Sequence, residues 1–268
     1  MYESELEVAL DAVRQAARYL LKEYAQFHPI ADAPANISTE ADQRSQEIIL
    51  AHIRAHFPKD ALCAEEPTES LRDASYTGPR LWIVDPIDGT RGFARKNGEF
   101  SVMVGFVDEG VIRVGVVAQP TEARITYAVK GQGCWRLDGA EPAPHKCRVT
   151  LVRELSQAAL TQSRSRPGQP SPYVDALRPA RVIESYSAGI KLALVARGEA
   201  DVYLNTYNTF HDWDICAGQI LVTEAGGIVT GTRGEELQYG LPGAWQRHGL
   251  LASNGKIHDE AIARLAKV

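Results

Sequence analysis

Trp82-Ile83-Val84-Asp85-Pro86-Ile87-Asp88-Gly89-Thr90 is the stretch on which the reading of this chain turns. The apolar run Leu81–Val84 reads as a buried strand that stops at Asp85-Pro86. Its exit leaves two carboxylates, Asp85 and Asp88, three residues apart. Pro86 stiffens that exit and Gly89 permits a tight backbone turn. Thr90 adds a hydroxyl, and the free N–H groups at the start of the following helix or turn would face an anion. Hard oxygen donors without His or Cys suit Mg²⁺ better than Zn²⁺. An isolated Asp-Gly is ordinarily a turn or a cap. The five fixed residues of D-P-x-D-G-T, however, arise by chance in about one chain of this length in ten thousand, so a chemical role is the stronger reading.

Outward from this stretch, Leu6, Leu10, Val13, Ala17, Leu20 and Tyr24 recur at helical spacing and predict an amphipathic helix over 5–26. A second helix over 40–55 carries Ile48, Ile49 and Ile53 and is capped by Ser38 or Thr39. Segments 99–107, 111–119 and 124–130 read as an antiparallel meander, with Asp108-Glu109-Gly110 as a turn. Glu141-Pro142-Ala143-Pro144 is the linker candidate. Strands at 158–162, 181–184, 201–204, 227–230 and 249–252 then alternate with helices at 188–198, 214–225 and 257–267. Pro167, Pro170 and Pro172 mark a surface loop. The expectation is an α/β protein of two lobes, an α+β lobe over 1–145 with most of the metal ligands and an α/β lobe over 146–268, with the site in the cleft between them.

The 268 residues carry a net charge of −5, with no basic stripe interleaved with aromatics, which argues against a nucleic-acid polymer as partner. No apolar stretch reaches about 18 residues, so no transmembrane helix is expected. The acidic start leads into an amphipathic helix and does not read as a signal peptide. Cys63, Cys134, Cys147 and Cys216 are widely spaced and form no C-x-x-C, as expected of free thiols in a cytoplasmic protein.

Further acids invite pairing with Asp85 and Asp88: Glu65-Glu66, Asp42 at a helix start in Thr39-Glu40-Ala41-Asp42, and Asp214 in Trp213-Asp214. Taken singly these are a solvated pair and two helix caps. Ala217 and Gly218 are small enough to let the helix that Asp214 opens approach a neighbour closely. Together, Thr39-x-x-Asp42, Glu65-Glu66, Asp85-Pro86-Ile87-Asp88-Gly89-Thr90 and Trp213-Asp214 followed by Glu224-Ala225-Gly226-Gly227 resemble the inositol-monophosphatase-like superfamily of Mg²⁺-dependent, lithium-sensitive phosphatases. The resemblance runs from about Leu6 to the C-terminus. It implies a layered αβαβα sandwich and a small phosphate ester as substrate, with a homodimer as one assembly found in the superfamily. It also implies two or three Mg²⁺ ions held by Glu65, Asp85, Asp88, Asp214 and the Ile87 carbonyl. Asp42 and Thr90 would orient and deprotonate the attacking water, with Glu65 serving the catalytic set as well. The amides of Gly89 and Thr90 would hold the phosphate. Relatives carry a Lys about seven residues before the Thr of T-x-x-D. Here that position falls near Asp32, a departure that bears on the third, weakest metal site and not on the main ligands.

For the substrate, Asn97-Gly98-Glu99-Phe100-Ser101-Val102 resembles the bacterial 3′(2′),5′-bisphosphate nucleotidases, which convert adenosine 3′,5′-bisphosphate (PAP) to AMP in sulfur assimilation. Ser163-Arg164-Ser165-Arg166 is similar to their S-R-S-H segment, and Ser185–Lys191 to their S-x-G-S-S-L-K with two mismatches. Ser163, Arg164 and Lys191 are therefore candidates for the second phosphate or the ribose edge, with Asp214 also facing the substrate. The plainer alternatives are a solvated loop for Arg164 and Arg166 and an exposed helix position for Lys191. Tyr207 and Phe210 would either stack on a purine or pack on their own protein, and His211 and Asp212 read as a surface pair. Inositol phosphatases place a Glu shortly before W-D, whereas Leu204–Asp212 has none. The competing reading is a sugar or polyol phosphatase such as one for inositol 1-phosphate. The remote one is a metal- and phosphate-binding scaffold without turnover.

Overall fold

The structure is a computed structural model that describes residues 2–72, 74–139, 143–164 and 171–268. Glu141 and Pro142 of the expected linker, and Ser165, Arg166, Pro167 and Pro170, lie outside the described residues.

Helix α1 (Glu3–Gln26) buries one stripe, Val8, Ala9, Ala12, Val13, Ala16 and Leu20. Helix α2 (Glu40–His56) opens with a capping box: Thr39 accepts from the start of the helix, and the Asp42 carboxylate accepts the Thr39 N–H at 2.8 Å. The two helices pack on each other and on one face of a seven-stranded sheet. That sheet comprises β1 (Ala61–Ala64), β2 (Arg80–Asp88), β3 (Ser101–Asp108), β4 (Val111–Gln119), β5 (Arg124–Val129), β6 (Gly133–Asp138) and β7 (His145–Cys147), in chain order. Only the β1–β2 pair is parallel. A short helix α3 (Thr90–Ala94) follows β2.

The second half contributes β8 (Ala159–Gln162), α4 (Pro172–Leu177), β9 (Arg181–Glu184), α5 (Ala188–Ala196), β10 (Val202–Asn205), β11 (Phe210–His211), α6 (Asp212–Glu224), β12 (Ile228–Thr230), β13 (Trp245–Gln246), β14 (Leu250–Ser253) and α7 (His258–Leu265). Five strands form a sheet in the order β12-β14-β10-β8-β9, and β11 pairs with β13. Helices α5 and α6 lie between the two sheets, and α4 and α7 contact each other beyond the second. The layers are α1/α2, sheet, α5/α6, sheet, α4/α7, the αβαβα sandwich expected from the resemblance.

Strand β2 corrects one expectation. It does not stop at Asp85-Pro86 but continues to Asp88, through a register shift against β3 between Asp85 and Asp88. β1 pairs with β2 only as far as Val84, so the N–H that Pro86 lacks costs no ladder bond on that side. Pro172, expected in a loop, instead begins α4, where a missing N–H is tolerated. Strands β1, β6 and β7 escape the sequence pattern because they are short or mix apolar with charged residues.

Helix α6 sits close on the seven-stranded sheet because Gly105 and Gly115 face it. A Cβ on Gly115 would lie 2.3 Å from Ile220 Cγ2 and 2.5 Å from the Ala217 carbonyl oxygen. Gly218 meets Leu192 of α5 in the same way, as its small size suggests. Gly115→Ala is therefore expected to destabilise the fold by about 1–3 kcal/mol, because the helix backbone must move. Urea denaturation checks this, and an unchanged midpoint would mean that α6 is not seated against Gly115.

Candidate active site

Four element ends converge. The end of β2 delivers Asp85 and Asp88, the chain just past β1 delivers Glu65, the start of α6 delivers Asp214, and the start of α2 delivers Asp42. A cavity of about 390 Å³ opens among them, lined by Glu65, Asp85, Ile87, Asp88, Gly89, Thr90 and Asp214. Ala35–Ser38, Arg91, Ser163, Tyr186, Lys191, Tyr203, Asn205, Tyr207 and Phe210 are among the residues that complete its wall.

Asp42 lies behind this wall, fully buried. One carboxylate oxygen accepts the Thr39 N–H and hydroxyl, and the other lies 2.8 Å from the Thr90 hydroxyl. Thr90 Oγ1 is also 3.0 Å from the Ile87 carbonyl, so its single hydrogen donates to one of two acceptors at a time. Asp42 thus caps α2, the plainer of its two readings, and also accepts a hydrogen bond from the Thr90 hydroxyl. Gly89 holds φ +88°, and a Cβ there would stand 2.7 Å from the Glu99 carbonyl oxygen, so the turn that presents the Thr90 amide requires glycine.

The Asp88 carboxylate spans the cleft. It accepts N–H groups from Ala188 at 3.0 Å and Gly189 at 2.7 Å, and hydroxyls from Ser101 at 3.1 Å and from Ser187. Asp214 reaches back to the His211 N–H at 2.6 Å, and Asp85 accepts the Ile87 N–H at 3.0 Å. Glu66 is buried, whereas Glu65 keeps one side open to solvent while its carboxyl faces the acid cluster. The Glu66 main chain pairs with the Gln46 side chain and the Glu66 carboxylate accepts from Ser38 at 2.9 Å. Gln46, Ser101 and Ser187 are positioning residues that sequence reasoning missed. Only Ser187 left a signal, as a serine capping a helix.

Lys191 is 1% exposed, not the exposed helix position that was the plainer alternative. Its ammonium donates to the Ser185 carbonyl at 2.8 Å and approaches Ser163 Oγ at 3.4 Å, within the cavity wall. Arg164 lines an adjoining cavity and pairs with Glu99. His211 and Asp212 are not a surface pair. Asp212 is buried and accepts from Gly240 and Gln246. The His211 ring stacks on Trp213, with centroids 4.3 Å apart and planes 6° apart. Phe210 is buried while Tyr207 is exposed on the cavity wall.

Crowding sets the electrostatics. Burial, then the charges of Asp214, Glu66 and Asp42, push the Glu65 carboxyl up to about 8, although one side of it is open to solvent. Burial, then the nearby Asp88 and Asp212, push Asp214 up to about 7, against the hydrogen bond from His211 and the charge of Lys191. Asp85 is raised well above the carboxylate range by burial and by Glu65, Asp88 and Asp214. Burial draws Lys191 down to about 8, against the pull of Asp88, Glu99 and Asp214. Among the described residues no three His, Cys, Asp or Glu side chains are grouped so as to hold a metal ion as they stand. What the cavity offers is carboxylate and carbonyl oxygen, without His or Cys in its wall, under a repulsion that a hard divalent cation would relieve. The donor set fits Mg²⁺.

This fold and this acid-lined cleft are those of a phosphatase. The profile of the inositol monophosphatase family matches residues 1–268. The chain is 32% identical over 236 residues to the fructose-1,6-bisphosphatase/inositol-1-monophosphatase of Thermotoga maritima, covering 85% of this chain and 81% of the relative. It is 32% identical over 234 residues to the histidinol-phosphatase of Mycobacterium tuberculosis, covering 85% and 84%. The structure of the Thermotoga maritima IMPase superposes with a TM-score of 0.82 at 28% identity, covering 98% of this chain and 97% of that one. The chain belongs to the inositol monophosphatase family, and it is a phosphatase of that family.

Stability of the metal-free protein should carry the mark of the crowded acids. Glu65 and Asp214 hold their protons up to about 8 and about 7 in the fold but only to about 4 in the unfolded chain. Between those limits the folded state binds more protons, so stability falls as pH rises. Lys191 acts oppositely above about 8, where the unfolded chain binds the extra proton. In EDTA, Tm should therefore fall from about pH 5 to about pH 8 and then level off. A level or rising Tm across that range would contradict the crowding.

Proposed function

We propose that this protein is a metal-assisted phosphomonoesterase that transfers the phosphoryl group of a small ester directly to water. The observation that carries the reading is Asp42 holding the Thr90 hydroxyl at 2.8 Å, at the edge of the carboxylate-lined cavity. Glu65, Asp85, Asp88, Asp214 and the Ile87 carbonyl would hold Mg²⁺, two or three ions in all. Bound there, Mg²⁺ supplies charge neutralisation for an already anionic ester and acidifies water. The Gly89 and Thr90 amides bind phosphate oxygens at the start of α3. Thr90 and Asp42 orient the attacking water, and Asp42 takes its proton through Thr90; burial favours this by raising the Asp42 carboxyl above its ordinary range. As the water oxygen bonds to phosphorus the bond to the ester oxygen breaks; the ester oxygen takes a proton from solvent water and leaves as an alcohol, the proton on Asp42 returns to solvent, and the phosphoryl group leaves as inorganic phosphate, so no covalent phosphoenzyme is formed.

For the substrate we propose a nucleoside 3′,5′-bisphosphate such as PAP, cleaved to AMP. Ser163 and Lys191 on the cavity wall and Arg164 in the adjoining cavity support this reading, and Tyr207 offers an exposed ring to a base. A sugar or polyol phosphate is the second reading. It is favoured by the names of the Thermotoga and Mycobacterium relatives. All four cysteines are free and buried, and no helix among the described residues is long and apolar enough to cross a membrane, both compatible with a cytoplasmic enzyme.

Asp88 is a poor residue to mutate first, because its four partners make it a structural tie as well as a ligand candidate. Asp85 accepts the Ile87 N–H and interacts with the Glu65 carboxyl, but it makes no tie to α5, so it separates the roles better. Asp85→Asn should lower kcat/KM about a hundredfold or more and abolish the rise in Tm that Mg²⁺ gives the parent. In EDTA near pH 8 the same change should raise Tm by a few degrees, roughly, because it removes the cost of burying a titratable carboxyl among other acids. Activity within a few-fold of the parent would remove Asp85 from the ligand set.

The substrate reading is tested by phosphate release with Mg²⁺ from PAP, inositol 1-phosphate, fructose 1,6-bisphosphate and histidinol phosphate, each with and without Li⁺. Preference for PAP is the expected outcome. Preference for another ester would transfer the proposal to the second reading and leave the metal set untouched.

A further inference from the structure

The mouth of the cleft carries a second charged cluster that the phosphoryl chemistry does not use. The guanidinium carbons of Arg91, Arg95 and Arg164 lie 5.4, 5.9 and 5.5 Å from the centroid of one ring, that of Tyr186. Arg95 also donates to the Tyr186 hydroxyl at 3.0 Å. Arg91 and Tyr186 line the main cavity beside Thr90, and Arg91 Nε is buried without a hydrogen-bond partner among the described residues. Three guanidinium groups in so small a space repel one another unless an anion lies among them.

One anion is already there. The Glu99 carboxylate takes the Arg164 fork through both oxygens and the Tyr186 N–H at 3.1 Å. It offsets one charge of three, and Glu184 lies near enough to Arg164 to add to its field. Glu99 reaches this place because the chain after α3 folds back against it: a Cβ on Gly92 would stand 2.2 Å from the Glu99 carbonyl oxygen. The same carboxylate acts at a distance on Lys191 in the main cavity.

We propose that Arg91, Arg95 and Arg164 around Tyr186 form a subsite for a second phosphate group on the substrate, and that Glu99 holds its place until the substrate arrives. A phosphate monoester brings about two charges and three acceptor oxygens where Glu99 brings one charge and two oxygens, so it satisfies the arginine forks more fully. Displaced, Glu99 turns to solvent and leaves Arg164 to the ligand. Glu99 then also discriminates: an ester with a single phosphate gains nothing by displacing it. The subsite deepens the phosphatase reading and rests on it for the first phosphate. It accepts a second phosphate whether ribose or a sugar ring carries it.

The test compares esters in pairs that differ only by that group: PAP against adenosine 3′-monophosphate, and fructose 1,6-bisphosphate against fructose 1-phosphate. The readout is the ratio of kcat/KM within each pair, so a general loss of active protein cancels. In the parent at least one ratio should be about tenfold or more. Arg91→Gln combined with Arg95→Gln should lower that ratio about tenfold. Glu99→Gln, which leaves all three arginines in place and weakens only the internal counter-charge on Arg164, should raise it about threefold. Movement of the adenosine pair assigns a nucleoside bisphosphate, and movement of the fructose pair assigns a sugar bisphosphate. Ratios near one in the parent, or ratios unmoved by both variants, overturn the subsite while leaving the phosphatase reading in place. If none of the four esters releases phosphate, that reading falls instead. The same esters are then stable in Mg²⁺, and their Kd ratios in the parent and the variants support or overturn the subsite on its own.

Discussion

The Asp88 carboxylate ties the two halves of this molecule together. One side chain at the end of β2 accepts a hydroxyl from nearby Ser101 and, from about a hundred residues further along the chain, two amides at the start of α5 and the Ser187 hydroxyl. The bond set does for α5 what an N-cap does, since it satisfies amides the helix cannot use internally and lays a negative charge at its positive end. It also fixes the seven-stranded sheet relative to the α5/α6 layer, and so fixes where Asp214 stands relative to Asp85. The geometry of the cleft follows from this joint more than from any loop.

Having the joint in the site has a cost. Glu65, Asp85 and Asp214 are held near one another by elements that pack for other reasons: β1 beside β2, and α6 against Gly105 and Gly115. The fold therefore imposes the repulsion that lifts their carboxyl groups. Lys191, buried beside them, relieves part of it but is itself drawn below its ordinary range by burial. A site built this way is strained toward binding cations before any substrate is present. On the proposed metal reading, stability given up to this repulsion returns as affinity for ions.

Much of this was legible in the sequence, because periodicity and spacing report local constraints. Helices α1, α2, α6 and α7, the meander β3–β5 and most of the second sheet stand where their patterns put them. Asp42, Glu65, Asp85, Asp88, Thr90 and Asp214 stand out in the sequence as well. One acid at an element end is ordinarily a cap, but Glu65, Asp85, Asp88 and Asp214 in this order are the oxygen donors on which the proposed cation set rests. What the sequence hid was pairing at a distance. Nothing near Lys191 says that its ammonium is buried against Ser185, and nothing near Gln46 says that it grips the Glu66 backbone. Strand β2 running through Pro86 was hidden for a related reason: proline forbids a ladder bond only if a partner strand is there to make one, and β1 ends at Val84.

The Glu99–Arg164 pair shows how such hidden pairing bears on specificity. A loop arginine read from sequence is a free cation, available to any anion, and Arg164 reads that way. In the fold it is already engaged by a carboxylate, and two further guanidinium groups share the same ring. A free arginine would attract monoesters and bisphosphates alike through long-range charge, which salt screens. An engaged one favours only a ligand that exceeds the internal carboxylate in charge and in fork geometry, which is a condition on the ligand's shape. On the proposed reading, the residues around Asp85 and Thr90 take one phosphate, while Arg91, Ser163, Tyr186 and Lys191 of the same wall face the rest of the ester. Discrimination among esters therefore falls to the rim, where the residues after the D-P-x-D-G-T motif differ in kind from those within it.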